Sequence, residues 1–211
     1  DLSLPSEYIP LYLANKKSPE YKNAINYLLG RDLSGTDILR YGIGYCESGR
    51  YSGMIIIPSY DCDGNLNFFT GRSYYKDATY KHYNPRVSKD IIGFDLYINW
   101  DEPITIVEGV FDAIAVRHNA IPLFGKLMLD SLKTKIIKNK VNRINIALDS
   151  DALEHSIKMA EYFMSLDKEV HIVDLGESDP SEMGHENFQD LLDESKPLTF
   201  GKLMEYKFIC K

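Results

Sequence analysis

Three carboxylates stand where parallel sheets usually carry their chemistry. Glu108 directly follows the apolar run 104–107, and Asp149 and Asp151 follow the largely apolar run 144–148. Each run has the length and composition of a buried strand and precedes a helical pattern. Ligands of open α/β sheets bind beyond the carboxyl ends of the strands, so these side chains are expected to meet there. Because clustered carboxylates repel one another, the pattern predicts a divalent cation between them, and Mg²⁺ suits oxygen ligands and phosphate chemistry.

Two further carboxylates lie close enough in the pattern to join this site. Asp112 falls in the first turn of the helix predicted after Glu108, and Asp179 lies in an acidic loop after a later strand. Each also has an ordinary structural explanation, since Asp112 would complement a helix dipole and an acidic loop can simply be solvated. Asp151 or Ser150 could likewise act as an N-cap. Each segment is therefore weak evidence when taken alone.

The second half of the chain alternates strand and helix patterns. Strands are predicted at 104–108, 120–124, 143–149 and 169–174, and helices at 110–118, 129–139, 152–165 and 186–194. This rhythm is typical of a mostly parallel sheet with helices on both faces. A change of character near residue 100 predicts two domains, residues 1–100 and residues 101–211.

The first half predicts a smaller domain of mixed α and β structure. Residues 1–30 have a helical spacing of apolar side chains that ends at Gly30, and the segment 34–37 is typical of a turn into a short helix. Strands are predicted at 54–58 and 66–70, joined by a hairpin at Asp63-Gly64. The predicted fold class is therefore α/β, with a small α+β subdomain in front of the parallel sheet.

Composition favours a soluble intracellular protein. The chain has 211 residues, of which 44% are hydrophobic, but no apolar run approaches the roughly 18 residues of a membrane span. No signal peptide opens the sequence. The three cysteines, Cys46, Cys62 and Cys210, lie far apart and form no C-x-x-C pair, which argues against a disulfide scaffold and a structural zinc site.

The net charge of −7 is carried entirely by residues 101–211, which hold 13 Lys+Arg and 20 Asp+Glu. An acidic balance on its own argues against nucleic-acid binding. Cations bound at an acidic site would offset part of this charge, so the overall sign does not decide the function.

Three segments together resemble the TOPRIM domain, which bacterial and phage primases share with topoisomerases and some nucleases. They are Glu-Gly-x-x-Asp-Ala at 108–113, Asp-Ser-Asp at 149–151 and Asp-Pro-x-Glu at 179–182. Their order, spacing and strand context all match that domain. The resemblance implies metal binding by Glu108, Asp149 and Asp151, supported by Asp112 and Asp179. Ser181 stands where many relatives have a second Asp, so the third motif offers Glu182 as a substitute ligand.

The preceding half resembles the catalytic core of DnaG-type primases, in which a basic subdomain comes before TOPRIM. Gly-Ile-Gly-Tyr at 42–45, Thr-Gly-Arg at 70–72 and Lys-His-Tyr-Asn-Pro at 81–85 follow the order of that family. The resemblance covers about residues 24–185, and Lys126 departs from it by replacing the usual Thr after Gly125. Nucleotide or DNA contacts are implied for Arg72, Lys81, Asn84, Lys89, Gly125 and Lys126.

This resemblance implies a DNA primase core that makes short RNA primers on single-stranded DNA from ribonucleoside triphosphates. Two or more Mg²⁺ or Mn²⁺ ions would be its cofactors. No zinc is expected in the chain, since the zinc-binding module of the family is missing or supplied elsewhere. A replicative helicase is the expected protein partner in bacterial or phage-infected cytoplasm, and no membrane is involved.

Three other functions remain open. A TOPRIM nuclease or a topoisomerase fragment would use the same metal-bound carboxylates to cut phosphodiesters. A phosphatase of the Asp-x-Asp-x-Thr type fits Asp149 and Asp151 but has Leu153 at the expected Thr or Val. A replication accessory domain would bind DNA or a helicase without catalysis, although clustered carboxylates are costly to retain without a use.

Overall fold

A five-stranded antiparallel sheet forms the first part of the computed structural model, which describes residues 2–210. Its strands follow one another in sequence order, β1-β2-β3-β4-β5. They are β1 (Tyr8–Pro10), β2 (Gly44–Cys46), β3 (Met54–Tyr60), β4 (Leu66–Ser73) and β5 (His82–Tyr83). Two helices accompany the sheet, α1 (Pro19–Leu29) and α2 (Gly35–Arg40).

The predicted hairpin between the two longest strands is present. Asp61 closes the turn, because its Oδ1 accepts the backbone N–H groups of Asp63 and Asn65, both at 2.9 Å. Gly64 adopts φ +84°, a left-handed conformation that glycine reaches without strain. The predicted turn into a short helix is also present as a capping box, in which Ser34 and Asp37 exchange hydrogen bonds at the start of α2.

The predicted helix over residues 1–30 is wrong in its first half. Tyr8–Pro10 is a strand that pairs antiparallel with β2, and Leu11–Leu13 is a 3-10 turn. Proline explains the difference, since Pro5 and Pro10 cannot donate helical hydrogen bonds within this segment. The helix begins only at Pro19, where Ser18 accepts a hydrogen bond from the third residue of the helix and proline is tolerated in the first turn.

The second half forms a four-stranded, entirely parallel sheet of order β7-β6-β8-β9. Its strands are β6 (Ile104–Val107), β7 (Ala120–Pro122), β8 (Arg143–Ala147) and β9 (Glu169–Ile172). Its helices are α3 (Val110–Val116), α4 (Asp130–Lys138), α5 (Leu153–Met164), α6 (Pro180–Met183), α7 (His185–Glu194) and α8 (Phe200–Ile209). The predicted fold class is confirmed, and each of the four predicted strands and four predicted helices is present to within a few residues.

The strand order creates a switch point between β6 and β8. The chain leaves β6 toward β7 on one side, then crosses back to β8 and continues outward to β9 on the other side. The two central strands end level with each other, since Val107 pairs with Ala147. Such a reversal opens a crevice at the carboxyl edge of a parallel sheet, which is where these folds bind ligands.

A dry aliphatic core holds this edge in place. Ile104, Ile106, Ile144 and Ile146 are fully buried in the sheet and pack with Phe163 of α5. Burying one such side chain contributes about 1.5–3 kcal/mol, so the two central strands belong to the best-anchored part of this half. Residues that directly follow them are therefore held by rigid elements.

The chain divides into two compact units between Ser88 and Lys89, before the boundary predicted near residue 100. Contacts of the intervening segment with the second unit account for this position. Asp90 Oδ1 accepts the backbone N–H of Ser131 at 2.9 Å, and buried Asp95 pairs with Lys135 at 3.3 Å. Within residues 2–210, no helix combines the length and the hydropathy needed to cross a bilayer.

Candidate metal centre

Glu108, Asp149 and Asp151 converge at the switch point of the parallel sheet. Each offers one carboxylate oxygen, and these three oxygens lie within 4.8 Å of one another. Glu108 and Asp149 are half-buried, whereas Asp151 is exposed. A separation of this size allows a single cation to contact all three side chains, as the sequence pattern predicts.

The local backbone explains this convergence. Glu108 and Asp149 directly follow β6 and β8, which are paired neighbours, and the backbone N–H of Asp149 donates to Glu108 Oε1 at 3.2 Å. The chain then makes a 3-10 turn over Ser150–Ala152, which keeps Asp151 at the same edge. Gly109 starts α3 beside Glu108, where a Cβ atom would lie only 3.2 Å from Asp112 Oδ2.

The clustered carboxylates perturb one another. Burial raises the pKa of Glu108, and the neighbouring Asp149 raises it further. The pKa of Asp149 is also raised, first by burial and then by the charges of Asp179 and Asp151. Lys126 opposes this repulsion, since its Nζ donates to Asp151 Oδ2 at 2.5 Å. One ammonium group does not balance three carboxylates, so the site remains electronegative.

One oxygen of the site has no partner. Asp149 Oδ1 is buried and makes no hydrogen bond to any described residue. A buried acceptor left unsatisfied costs roughly 1–3 kcal/mol, and more when it is charged. A divalent cation would supply the missing partner, and a set of hard carboxylate oxygens is what Mg²⁺ and Mn²⁺ prefer. The residues present therefore fit a divalent metal ion.

Comparison with known proteins gives solved structures as its only matches. No protein-family model matches the sequence, and no curated protein matches it. A DnaG primase catalytic domain bound to single-stranded DNA superposes with a TM-score of 0.73 at 19% identity, covering 92% of this chain and 76% of that chain. A DNA primase domain from Pseudomonas aeruginosa gives 0.72 at 22% identity, covering 92% and 77%. The RNA polymerase domain of Mycobacterium tuberculosis primase DnaG gives 0.70 at 17% identity, covering 90% and 80%.

The chain has the fold of a DnaG primase catalytic core. This fold resemblance extends over nearly the whole chain and includes both sheets. At these identities it describes the fold alone, and the chemistry has to be argued from the residues of this chain.

Asp112 and Asp179 lie beside the three carboxylates of this primase-like fold in structural roles. Asp112 is buried, with Oδ2 accepting the N–H of Gly109 at 3.1 Å and Oδ1 accepting the N–H of Ser181 at 3.3 Å. Burial and the charge of Asp179 raise its pKa to about 7. Asp179 caps α6, since its Oδ1 accepts hydrogen bonds from the Glu182 N–H and the Ser181 hydroxyl. The hydrogen bond between Asp112 and Ser181 thus links α3 to α6.

The nucleotide-binding candidates of the second unit, Lys89, Gly125 and Lys126, meet at one loop. Lys89 Nζ donates to the carbonyl oxygen of Phe124 at 2.6 Å. Gly125 is exposed, and Lys126 follows it with its ammonium group on Asp151. Lys89 therefore holds the loop from which Lys126 reaches the acidic cluster.

The candidates of the first unit have different surroundings. Arg72 Nε donates to the Tyr27 hydroxyl at 3.0 Å and its guanidinium contacts the ring of His82, while Lys81 is exposed. Asn84 Oδ1 is buried without a hydrogen-bond partner and lies at the wall of a cavity of about 850 Å³.

Two arginines that line this cavity are not among the residues that the sequence predicts for a binding site. Arg50 and Arg86 both line it, and the Arg50 guanidinium lies 4.5 Å from the centroid of the Tyr83 ring. Neither makes an ion pair with a described residue. No motif marks them, although Asn84, which lines the same cavity, is among the contacts predicted from the sequence.

Proposed function

We propose that this chain is the catalytic core of a DNA primase. It copies single-stranded DNA into a short RNA primer from ribonucleoside triphosphates by metal-dependent nucleotidyl transfer. The observation that carries the proposal is the convergence of Glu108, Asp149 and Asp151 at the switch point of a sheet with the primase-core fold.

The three carboxylates would hold Mg²⁺ or Mn²⁺ ions. When bound, two such ions stabilise the attacking and leaving oxygens of an in-line displacement at phosphorus. Asp149 contributes an acceptor that has no competing hydrogen bond. The N–H of Asp149 orients Glu108, and Lys126 orients Asp151. Asp112 and Asp179 would support the site as additional carboxylates, with Asp112 linking α3 to α6 and Asp179 capping α6.

Positive and polar residues would bind the nucleotide and the template. Lys126 is a point charge beside the acidic cluster and suits a triphosphate oxygen. Arg72 and Lys81 suit phosphate contacts in the first unit, and Asn84, which lines the cavity there, has an amide side chain that suits a hydrogen bond to a base or a ribose hydroxyl. Lys89 and Gly125 shape the loop that carries Lys126. A replicative helicase is the partner that such a core would serve.

Primer synthesis on single-stranded DNA tests this function. Purified protein, template and labelled ribonucleotides with Mg²⁺ or Mn²⁺ are expected to give short RNA products. Asp149→Asn is expected to reduce the yield by at least about 100-fold, the scale of losing an electrostatic group at the reacting centre. Asp193→Asn, an exposed carboxylate on α7, is the matched control and is expected to retain activity.

Two results would contradict the proposal. Undiminished primer yield from Asp149→Asn would remove the metal-site assignment. Divalent-dependent nicking of plasmid without nucleotides, in the absence of primer synthesis, would identify a nuclease or topoisomerase activity instead.

A further inference from the structure

A second cavity lies beside the acidic cluster, and of its lining residues only Lys126 has a role in the proposed reaction. It measures about 260 Å³ and lies between the loop 126–128 and helices α4 and α5. Its lining residues are Lys126, Leu127, Met128, Lys133, His155, Lys158, Met159 and Tyr162. Three lysines, a histidine and a tyrosine thus line a small hollow together with apolar side chains.

The size and chemistry of this cavity favour a phosphate group. Small-molecule pockets usually occupy about 300–1,000 Å³, so the hollow is too small for a whole dinucleotide but large enough for phosphate or pyrophosphate. All five polar lining side chains can donate hydrogen bonds to an anion, and lysine carries three donors on one charge. None of the lining residues is a carboxylate.

Each lysine of the cavity already has a surface partner. Lys126 pairs with Asp151 at 2.5 Å, Lys133 with Asp130 at 3.1 Å, and Lys158 with Glu154 at 2.6 Å. The three carboxylates are between 67% and 88% exposed, and solvent screening makes exposed pairs of this kind weak. A phosphate that accepts hydrogen bonds from several lysines together can therefore displace them.

Lys126 connects this cavity to the metal centre. It lines the cavity and is also the counter-ion of Asp151, one of the three clustered carboxylates. A cation held by Asp151 would compete with Lys126 for the same carboxylate and would release the ammonium group toward the cavity. A phosphate that captured Lys126 would in turn free Asp151. Such coupling is reciprocal by thermodynamic necessity.

We propose that this cavity is a phosphate-binding subsite whose occupancy is coupled to the metal centre through Lys126. The proposal deepens the proposed function and rests on it for the source of the phosphate, which is either free pyrophosphate or the backbone of a polynucleotide. Both sources present the same oxygens to Lys133 and Lys158, so the chemistry of recognition is shared.

Methionine methyl NMR tests binding without metal or synthesis. The full chain, labelled at the Met methyl groups and kept in EDTA, is titrated with pyrophosphate and, separately, with an oligothymidylate that lacks terminal phosphates. We expect saturable shifts of the Met128 and Met159 methyl signals. Shifts with pyrophosphate alone identify a free-phosphate site, and shifts with the oligonucleotide identify a backbone site.

Charge removal provides the matched comparison. Lys133→Met combined with Lys158→Met is expected to weaken binding at least tenfold, since each change removes a charged hydrogen-bond donor to the phosphate. Lys138→Met removes the same charge from an exposed position of α4 outside the cavity and is expected to change affinity less than about twofold. Absence of shifts with both ligands, or equal weakening by Lys138→Met, would overturn the subsite.

The coupling has its own test, also in EDTA. Asp151→Asn releases Lys126 as a bound cation would, and we expect phosphate affinity to rise about three- to tenfold, a range typical of coupling between sites. In a Lys126→Met background the same change is expected to have little effect. An equal gain in both backgrounds would reduce the coupling to general charge repulsion. Because these titrations need no primer synthesis, their failure and the failure of the proposed function are distinguishable.

Discussion

At the scale of single residues, the unpaired oxygen of Asp149 destabilises the folded chain in a way that a bound cation would offset. Its Oδ1 is buried without a partner, and burial and the charges of neighbouring carboxylates raise the pKa of Asp149. The carboxylate is therefore a cost to the folded chain when no cation is bound. Function and stability should respond in opposite directions to its removal.

Neutralising this carboxylate is expected to stabilise the metal-free protein. In EDTA at neutral pH, Asp149→Asn should raise the free energy of unfolding by about 1 kcal/mol, because repulsion among the clustered carboxylates is relieved. Denaturant unfolding measures the change. Asp193→Asn, which relieves no such repulsion, should leave it unchanged within about 0.5 kcal/mol. A destabilised Asp149→Asn protein would show that the carboxylate has a structural partner.

Asp112 should make stability depend on pH. Its pKa rises from 3.8 to about 7 on folding, so the folded chain binds more protons than the unfolded chain between these values. Stability from this group is fully present below about pH 4 and is lost as pH rises toward about pH 7, with a total of up to about 4 kcal/mol.

Unfolding midpoints measured across that range in EDTA check this sign. Asp112→Asn should reduce the loss of stability as pH rises. Some loss should remain, because the pKa values of Glu108 and Asp149 are also raised. Asp193→Asn should keep the full decline. If the Asp112→Asn profile matched that of the unmodified chain, the carboxyl would titrate alike in the folded and unfolded states.

At the scale of elements, close backbone approach fixes the edge of the first sheet. Gly44 of β2 faces β1 so closely that a Cβ atom would overlap the Tyr8 ring and lie 2.5 Å from the Ile9 carbonyl oxygen. Gly44→Ala is expected to destabilise the chain by about 1–3 kcal/mol, the range for forced overpacking. Gly35→Ala meets open space at the start of α2 and should be neutral or stabilise by about 0.4–1 kcal/mol.

Equilibrium denaturation of the two glycine variants makes this comparison. The opposite signs follow from space alone, because the same methyl group is added in both. Equal effects would mean that β1 is not held against β2 in solution.

Sequence predicted the elements whose patterns are local. The strands of the second sheet carry apolar runs bounded by turns, and all four were recognisable. The sequence does not predict the short strands Gly44–Cys46 and His82–Tyr83. Two or three residues are too few to show an alternation of apolar and polar side chains, and such strands form by pairing with a longer strand. The sequence predicts a helix over residues 8–10 because the apolar side chains have helical spacing, although Pro10 disfavours a helix there. The sequence does not predict the helix Phe200–Ile209, in which five of the ten residues are aromatic or apolar side chains that stay exposed or partly exposed, so no clear apolar face marks it.

In the candidate site too, the sequence predicts some features and not others. Glu108 and Asp149 could be predicted to meet, because strand ends of a parallel sheet share one edge. The roles of Asp112 and Asp179 could not be predicted, since they depend on hydrogen bonds such as that from the Ser181 N–H, which comes from 69 residues away. The cavity beside Lys126 also depends on two helices that only the fold brings together.

At the scale of the whole molecule, the negative charge that a counter-ion would offset lies in one half of the sequence. Residues 101–211 carry the entire net charge of −7, and the clustered carboxylates lie among them. Monovalent salt would screen this charge in general, whereas a divalent ion bound at one site would stabilise the folded chain by mass action. These two effects can be separated experimentally.

Thermal unfolding in MgCl₂ and in NaCl of equal ionic strength makes the separation. When the free Mg²⁺ concentration is 100 times the dissociation constant of the site, binding stabilises the folded chain by about 2.7 kcal/mol. This corresponds to a rise of roughly 5–10 °C in Tm for a chain of this size. NaCl should give a smaller rise through screening alone. Asp149→Asn should lose the extra effect of Mg²⁺ while keeping the effect of NaCl. An equal rise in Tm of the unmodified chain in both salts would contradict a specific site. It would mean that Mg²⁺ only screens the negative charge, because diffuse screening does not depend on the three clustered carboxylates.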